Sequence, residues 1–135
     1  MSQFPPDVFA LIEASVAEDQ TFNDPTTQAV VPPEIQGTGW LRAKAEGVLA
    51  GVDVAIAVFH RVDPTLSARA ILQDGATLCT GDDIAVVRGS AAGILRAERI
   101  ALNFMQRMSG IASDTNRYVE AVRGLNVRIV DTRKT

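Results

Sequence analysis

What this chain has little of narrows it quickly. It holds one cysteine, Cys79, and one histidine, His60. An internal disulfide, a Cys/His zinc cluster and a Cys–His nucleophile pair are therefore excluded within it. No apolar run approaches the roughly 20 residues of a membrane-spanning helix. The start, Met1-Ser2-Gln3-Phe4-Pro5-Pro6-Asp7, has neither the basic region nor the apolar segment of a signal peptide. With no sign of secretion or of a membrane partner, the cytoplasm is the expected compartment. Aromatics are only 5% of the chain, too few for a base-stacking surface, and no nucleic-acid motif is recognisable, so no nucleic-acid partner is expected. There is no P-loop and no G-x-G-x-x-G fingerprint. A biotinyl or lipoyl carrier would share the punctuation by Gly75, Gly81 and Gly89. Such a carrier needs a lysine at its hairpin tip, where this chain has Gly81-Asp82-Asp83. Internal repeats and low-complexity stretches are absent as well.

What is present is an ordinary globular composition with uneven charge. At 135 residues, 47% hydrophobic and 21% charged, the chain can bury one core, with room for the start of a second domain. The net charge of −3 conceals two halves. Residues 1–87 carry four cations against twelve acids; residues 88–135 carry nine cations, eight of them Arg, against four acids. An Arg-rich half suits anionic ligands, because the guanidinium fork pairs bidentately with carboxylate and phosphate. For any single Arg of the set the plainer reading is a solvated helix face.

Periodicity gives a coarse map. Val8, Phe9, Leu11, Ile12 and Val16 recur at helical spacing, so a helix over about 7–18 capped by Asp7 is expected. Asp24-Pro25-Thr26-Thr27 and Val31-Pro32-Pro33 read as loop. Trp40 to Ala45 reads as a strand, Gly47 to Gly51 as a turn into a helix bearing Val52, Ala55, Ile56 and Phe59 on one face. Leu66 to Leu72 alternates as a second strand, and Asp74-Gly75 is a hairpin signal. A short strand reaches Cys79, Gly81-Asp82-Asp83 turns the chain, and Ile84 to Val87 is strand again. Gly89-Ser90 leads into a helix over about 91–108, which Ser109-Gly110 should break. A second helix then runs to about Arg123, closed by Gly124. Val127-Arg128-Ile129-Val130 reads as a final strand. The fold class expected is α+β: a front domain over 1–110 of antiparallel strands with helices, then 111–135 as a linking helix and the first strand of an α/β barrel. A lone parallel-type strand cannot bury both faces by itself, so the barrel reading requires further sequence.

Two stretches carry the chemistry. On the helix from about residue 91, Arg96, Arg99, Asn103, Gln106 and Arg107 share one arc. Ile94, Leu95, Ala101, Leu102, Phe104, Met105 and Met108 fill the other. Arg99 sits near the middle of the polar arc, where it is either a surface or salt-bridged group or a ligand-binding one. Glu98 falls within the apolar arc, and a carboxylate there should be paired, with Arg88 or Arg96 as candidates. The second stretch is Asp131-Thr132-Arg133-Lys134-Thr135, which places a hydroxyl and two cations where a strand would end. Open α/β sheets and barrels present anion-binding groups at that position.

Together, Glu98-Arg99-x-x-Leu102-Asn103 running to Ser109-Gly110-Ile111-Ala112 and the Asp131–Thr135 motif resemble the quinolinate phosphoribosyltransferase family. The resemblance covers the whole chain but only the front part of the family's length. Glu18-Asp19 with Asp24-Pro25-Thr26-Thr27 resembles another stretch of the family, with Asn23 where its glycine is common. The resemblance implies a transferase joining quinolinate, a pyridine with two adjacent carboxylates, to phosphoribosyl pyrophosphate in NAD biosynthesis, with decarboxylation. It implies substrate binding by Arg99, Thr132, Arg133 and Lys134, with Lys134 also catalytic. It further implies Mg2+ accompanying the pyrophosphate, with ligands outside this chain, and a homodimer in which Arg99 serves the neighbouring subunit's site. The 135 residues by themselves are then expected to be inactive. Two alternatives stand beside this: a paralogue acting on another pyridine carboxylate or serving metal transport, and a non-catalytic interaction domain.

Overall fold

The computed structural model describes residues 4–132. In chain order the elements are α1 (Pro6–Glu18), α2 (Pro25–Val30), β1 (Gln36–Arg42), β2 (Gly47–Val48), α3 (Val52–Val62), β3 (Ser67–Ala70), β4 (Thr77–Leu78), β5 (Asp83–Ser90) and α4 (Ala91–Ala121). This is the mixed α+β arrangement with antiparallel pairing that the sequence suggested. The main sheet has the order β1-β5-β3, with β5 antiparallel to both neighbours. A second ladder pairs β2 with β4, also antiparallel.

β5 is the central strand, and its residues Ile84, Ala85, Val86 and Val87 are all buried. On one face of the sheet the register aligns Leu41, Ala85 and Ala70, and Gly39, Val87 and Ala68. The glycines of β1 leave that face shallow, and α4 lies close against it: a Cβ on Gly39 would meet Ile94 at 3.3 Å and one on Gly37 would meet Ala91 at 3.8 Å. On the opposite face Trp40, Val86 and Arg69 form one cross-strand row. Such neighbours cover one another, which accounts for a Val86 only 3% exposed. α3 presents Val52, Ala55, Val58, Phe59 and Val62 to the core, and α1 adds Ile12 and Val16. Bidentate pairing of Arg61 with Glu13 ties α3 to α1 at the surface.

α4 holds the fold together. It is one 31-residue helix, started by Ser90, whose Oγ accepts from the Gly93 N–H at 3.2 Å. Its buried stripe is Gly93, Ala97, Ile100, Ala101 and Met105. The break expected at Ser109-Gly110 does not occur. Ser109 Oγ accepts from the Ala50 N–H at 3.0 Å and donates to the Ala50 carbonyl at 3.1 Å. One turn on, Ser113 Oγ accepts from the Val48 N–H at 2.8 Å. The two serines, four residues apart on one helix face, satisfy the backbone of β2 at Val48 and of Ala50 just beyond it. That tertiary anchoring outweighs the roughly 1 kcal/mol by which Gly110 disfavours helix relative to Ala. The helix thus passes residue 110 without interruption and ends near Gly124, whose φ is +87°.

Other expectations are corrected. α1 begins at Pro6 with Pro5 as its N-cap and no side-chain cap bond. Proline at the first helical position presets φ, so Asp7 lies inside the first turn and acts on the helix dipole instead of capping. The stretch from Asp24 to Thr27, whose composition suggests loop, instead starts α2, with Asp24 as cap and Pro25 at the first helical position. β1 spans 36–42 where 40–45 was expected, with a register irregularity between Leu41 and Arg42. Asp74-Gly75 is a turn with Gly75 at φ +91°, but it joins no hairpin, since β3 pairs with β5 and β4 with β2. The stretch 127–130 is not a strand: it has no ladder partner among the described residues, and Val127, Ile129 and Val130 are exposed. No helix among the described residues is long and apolar enough to cross a membrane.

Candidate functional site

Arg99 lies in the third turn of α4, on the face away from the buried stripe, with Asn103, Gln106 and Arg107 also exposed. The stripe is narrower than the sequence suggested. Leu95 is 48% exposed, and Glu98 is exposed too, so its carboxylate stays hydrated and needs no protein partner. Small residues set this width. With Ala97 and Ala101 fully buried, α4 approaches its neighbours along one line instead of a broad face.

Opposite Arg99 is the carboxyl end of α1, which the backbone fixes tightly. Asp19 is the C-cap; the Gln20 N–H donates to the Ala17 carbonyl at 3.2 Å and the Thr21 N–H to the Val16 carbonyl at 3.3 Å. That double bond pattern is the Schellman motif, which needs a left-handed residue after the cap. Glycine normally supplies it. Here Gln20 does, at φ +51°, and it alone among the described non-glycine residues has positive φ. The turn directs Asp19 at α4, where Arg99 Nη1 donates to Asp19 Oδ1 at 3.0 Å. The Asp19 side chain is 23% exposed and that of Arg99 75%.

Beneath the pair is a cleft of about 220 Å3 lined by Asp19, Thr21, Asn23, Asp24, Arg96 and Arg99. Thr21 is 3% exposed, and neither its Oγ1 nor Arg96 Nε has a hydrogen-bond partner in the protein. Both atoms are closed off from solvent, so they are unsatisfied polar atoms in the wall beside the cleft. Asp24 caps α2 by accepting from the Thr27 N–H at 3.0 Å. Hydrogen bonding from the Thr27 side chain, then from its backbone, holds the Asp24 carboxyl below the usual carboxylate range. A larger groove of about 840 Å3 continues along α1 and α4 past Glu18, Asn103, Phe104 and Arg107.

The sequence-derived site residues fare differently. Arg99 is placed as a surface cation with a carboxylate partner. Thr132 lies in the exposed segment after α4, and neither cleft takes a residue from that segment. Arg133 and Lys134 lie outside the described residues. No group of three or more His, Cys, Asp or Glu side chains suited to a metal ion occurs among the described residues. Asp131 is exposed and isolated from such a set. The partner of Arg99 was missed. In the sequence Asp19 stands out only as part of the Glu18-Asp19 motif, and with Gln20 in place of glycine the helix end lacks the usual marker. Chemically, the described part of the site can do one thing well: hold an anion on the exposed edge of Arg99.

Residues 24–109 match the family described as quinolinate phosphoribosyl transferase, N-terminal domain. The chain is 42% identical over 127 residues to nicotinate-nucleotide pyrophosphorylase (carboxylating) of Mycobacterium leprae (strain TN), covering 92% of this chain and 45% of that relative. It is 38% identical over 130 residues to the chloroplastic enzyme of the same name from Arabidopsis thaliana, covering 96% and 37%. Among solved structures, NadC from Streptococcus pyogenes matches with a TM-score of 0.92 at 36% identity, over 100% of this chain and 48% of that one. The nicotinate-nucleotide pyrophosphorylase from Francisella tularensis matches at 0.89 and 32%, over 98% and 48%. The chain spans about half the length, or less, of these relatives. With the family matched over more than half its residues, the chain belongs to the quinolinate phosphoribosyl transferase family and corresponds to its N-terminal domain.

Proposed function

We propose that these residues are the front part of an enzyme that transfers phosphoribose from phosphoribosyl pyrophosphate to quinolinate, giving nicotinate mononucleotide, pyrophosphate and CO2. The observation that carries the proposal is the 42% identity, through 92% of this chain, to a relative named for that reaction. In this reading an α/β barrel follows α4. The pyridine nitrogen attacks the anomeric carbon as its bond to the pyrophosphate oxygen breaks. The carboxylate beside the ring nitrogen then leaves as CO2, and the ring carbon takes a proton.

The residues of this chain act by holding charge. Arg99 binds a quinolinate carboxylate through its guanidinium fork. Thr132 offers a hydroxyl or backbone N–H, while Arg133 and Lys134 orient the ring and stabilise negative charge as it develops, Lys134 taking the catalytic part. One preorganised donor of this kind is worth roughly 2.7–4 kcal/mol in the transition state. Mg2+ accompanies the pyrophosphate in this reading, and no group of three or more His, Cys, Asp or Glu that could hold it occurs among the described residues. The enzyme is a cytoplasmic homodimer in which Arg99 of each subunit completes the site of the other.

Mixing two inactive full-length variants tests this. Arg99→Ala and Lys134→Ala should each abolish release of CO2 from carboxyl-labelled quinolinate. After subunit exchange, random pairing gives about half heterodimers with one intact site of two, hence recovery near a quarter of wild-type activity. A mixture that stays inactive despite demonstrated exchange removes the shared site. A wild-type enzyme that forms no nicotinate mononucleotide removes the function itself. Residues 1–135 alone should be inactive in the same assay.

A further inference from the structure

We infer that Asp19 is a positioning residue for Arg99: it grips one nitrogen of the guanidinium from a rigid helix end and leaves the opposite edge presented to a substrate carboxylate. The inference rests on the proposed substrate-binding role of Arg99.

Three observations support it. First, the grip is one-sided. Arg99 donates through Nη1 to Asp19 Oδ1 at 3.0 Å, and no partner for Nη2 or Nε is present among the described residues. With that side chain 75% exposed, the Nε–Nη2 edge can still take a carboxylate bidentately. Second, the grip is stiff. Asp19 is the C-cap of α1 and the Schellman bonds from Gln20 and Thr21 fix the turn beyond it, while its side chain is only 23% exposed. The negative end of the α1 dipole lies at the same place and adds to the attraction for a cation. Third, the turn is held against local preference. Gln20 takes the left-handed conformation that glycine would adopt without strain. Outliers of this sort concentrate where a geometry is functionally required.

An exposed ion pair contributes little to stability, so the contact is better understood as restricting the Arg99 rotamers. An unrestrained arginine loses much of its side-chain freedom on binding a ligand. Asp19 removes part of that loss before quinolinate arrives, without touching the substrate.

The test uses the full-length enzyme and steady-state kinetics. Asp19→Ala should raise KM for quinolinate about five- to ten-fold, by the side-chain freedom restored to Arg99, while kcat and the KM for phosphoribosyl pyrophosphate stay within two-fold. Asp19→Asn, which keeps an acceptor but loses the charge, should fall between, and Asp19→Glu should recover part of the loss. Added to Arg99→Ala, Asp19→Ala should change quinolinate binding, measured by calorimetry at millimolar quinolinate, by less than two-fold. An unchanged or lowered quinolinate KM in Asp19→Ala overturns the inference. So does an equal loss in the Arg99→Ala background, which would assign Asp19 a role independent of Arg99. If Asp19→Ala lowers the unfolding temperature, the Asp19→Asn and Asp19→Glu variants decide. A wild-type enzyme inactive on quinolinate would instead overturn the proposed function, an outcome distinct from either.

Discussion

Asp74 offers the sharpest test of how this domain is held together. Its carboxylate accepts from the Gly51 N–H at 2.8 Å and from the Val52 N–H at 3.0 Å. It thereby caps α3 from a turn more than twenty residues downstream. The helix has no cap of its own, because its N-cap is Gly51, held at φ +90°, where Met108 Sδ would lie 2.7 Å from any added Cβ. Val52 is fully buried, so Asp74→Ala strands two amides whose access to water is poor. Loss of a capping side chain costs about 0.5–2 kcal/mol, and bonds to a charged acceptor sit at the upper end of the hydrogen-bond range. Asp74 itself is exposed, which lets water recover part of the loss. About 2 kcal/mol is the expected cost, and about half that for Asp74→Asn. With an unfolding entropy of about 2.1 cal/mol/K per residue, the 135 residues should lose about 7 °C in Tm for Asp74→Ala. Thermal unfolding followed by circular dichroism at pH 7 would measure it. Amide exchange at Gly51 and Val52 should accelerate beyond the global effect. An Asp74→Ala protein within 0.5 kcal/mol of wild type would refute the capping argument.

Gln20→Gly should stabilise the chain by about 0.5–1 kcal/mol in urea unfolding, since relief of the left-handed strain exceeds the unfolded-state entropy that glycine adds; a destabilised variant would mean the Gln20 side chain matters more than its φ. Ser109→Ala removes the bonds to Ala50 in both directions and should cost about 1–2 kcal/mol, with faster amide exchange at Ala50. Asp24 has a folded carboxyl pKa below its ordinary 3.8. It therefore contributes stability above that value that is lost as pH falls through the lower folded pKa. Asp24→Asn should flatten that part of the acid-unfolding profile, and an unchanged profile would remove the cap's electrostatic part.

The elements with strong periodicity were legible and those held by distant contacts were not. α3 could be read because Val52, Ala55, Ile56 and Phe59 repeat on one face, and β5 because Ile84–Val87 is a continuous apolar run flanked by turns. The first half of β1 hid behind Gly37 and Gly39, which have low strand propensity and are present because α4 approaches that face. α2 carried a readable signal, Asp24 as cap followed by proline at the first helical position, but at six residues it has too few turns to show a period. Ser109-Gly110 misled for the opposite reason. Both residues favour helix ends locally, and only the backbone of Ala50, some sixty residues upstream, shows why Ser109 sits in mid-helix. The hairpin signal at Asp74-Gly75 identified a turn correctly, yet turn chemistry says nothing about which strands pair.

The candidate site residues divide along the same line. Arg99 could be singled out from the sequence because its helix has a clear polar arc and a distinctive flanking motif. What Arg99 touches could not, since its partner is 80 residues away at a helix end without glycine. The misjudged width of the α4 stripe has the same origin. A sequence arc counts Leu95 and Glu98 as interior by their angle alone, whereas burial depends on how close the neighbouring elements come. Alanines at 97 and 101 and glycine at 93 bring them close along one line: a Cβ on Gly93 would meet Asp63 Oδ2 at 2.5 Å. The small residues that pull α4 onto α3 and the sheet therefore also leave its polar face open toward α1. Arg99 stays exposed because its helix is so narrowly buried.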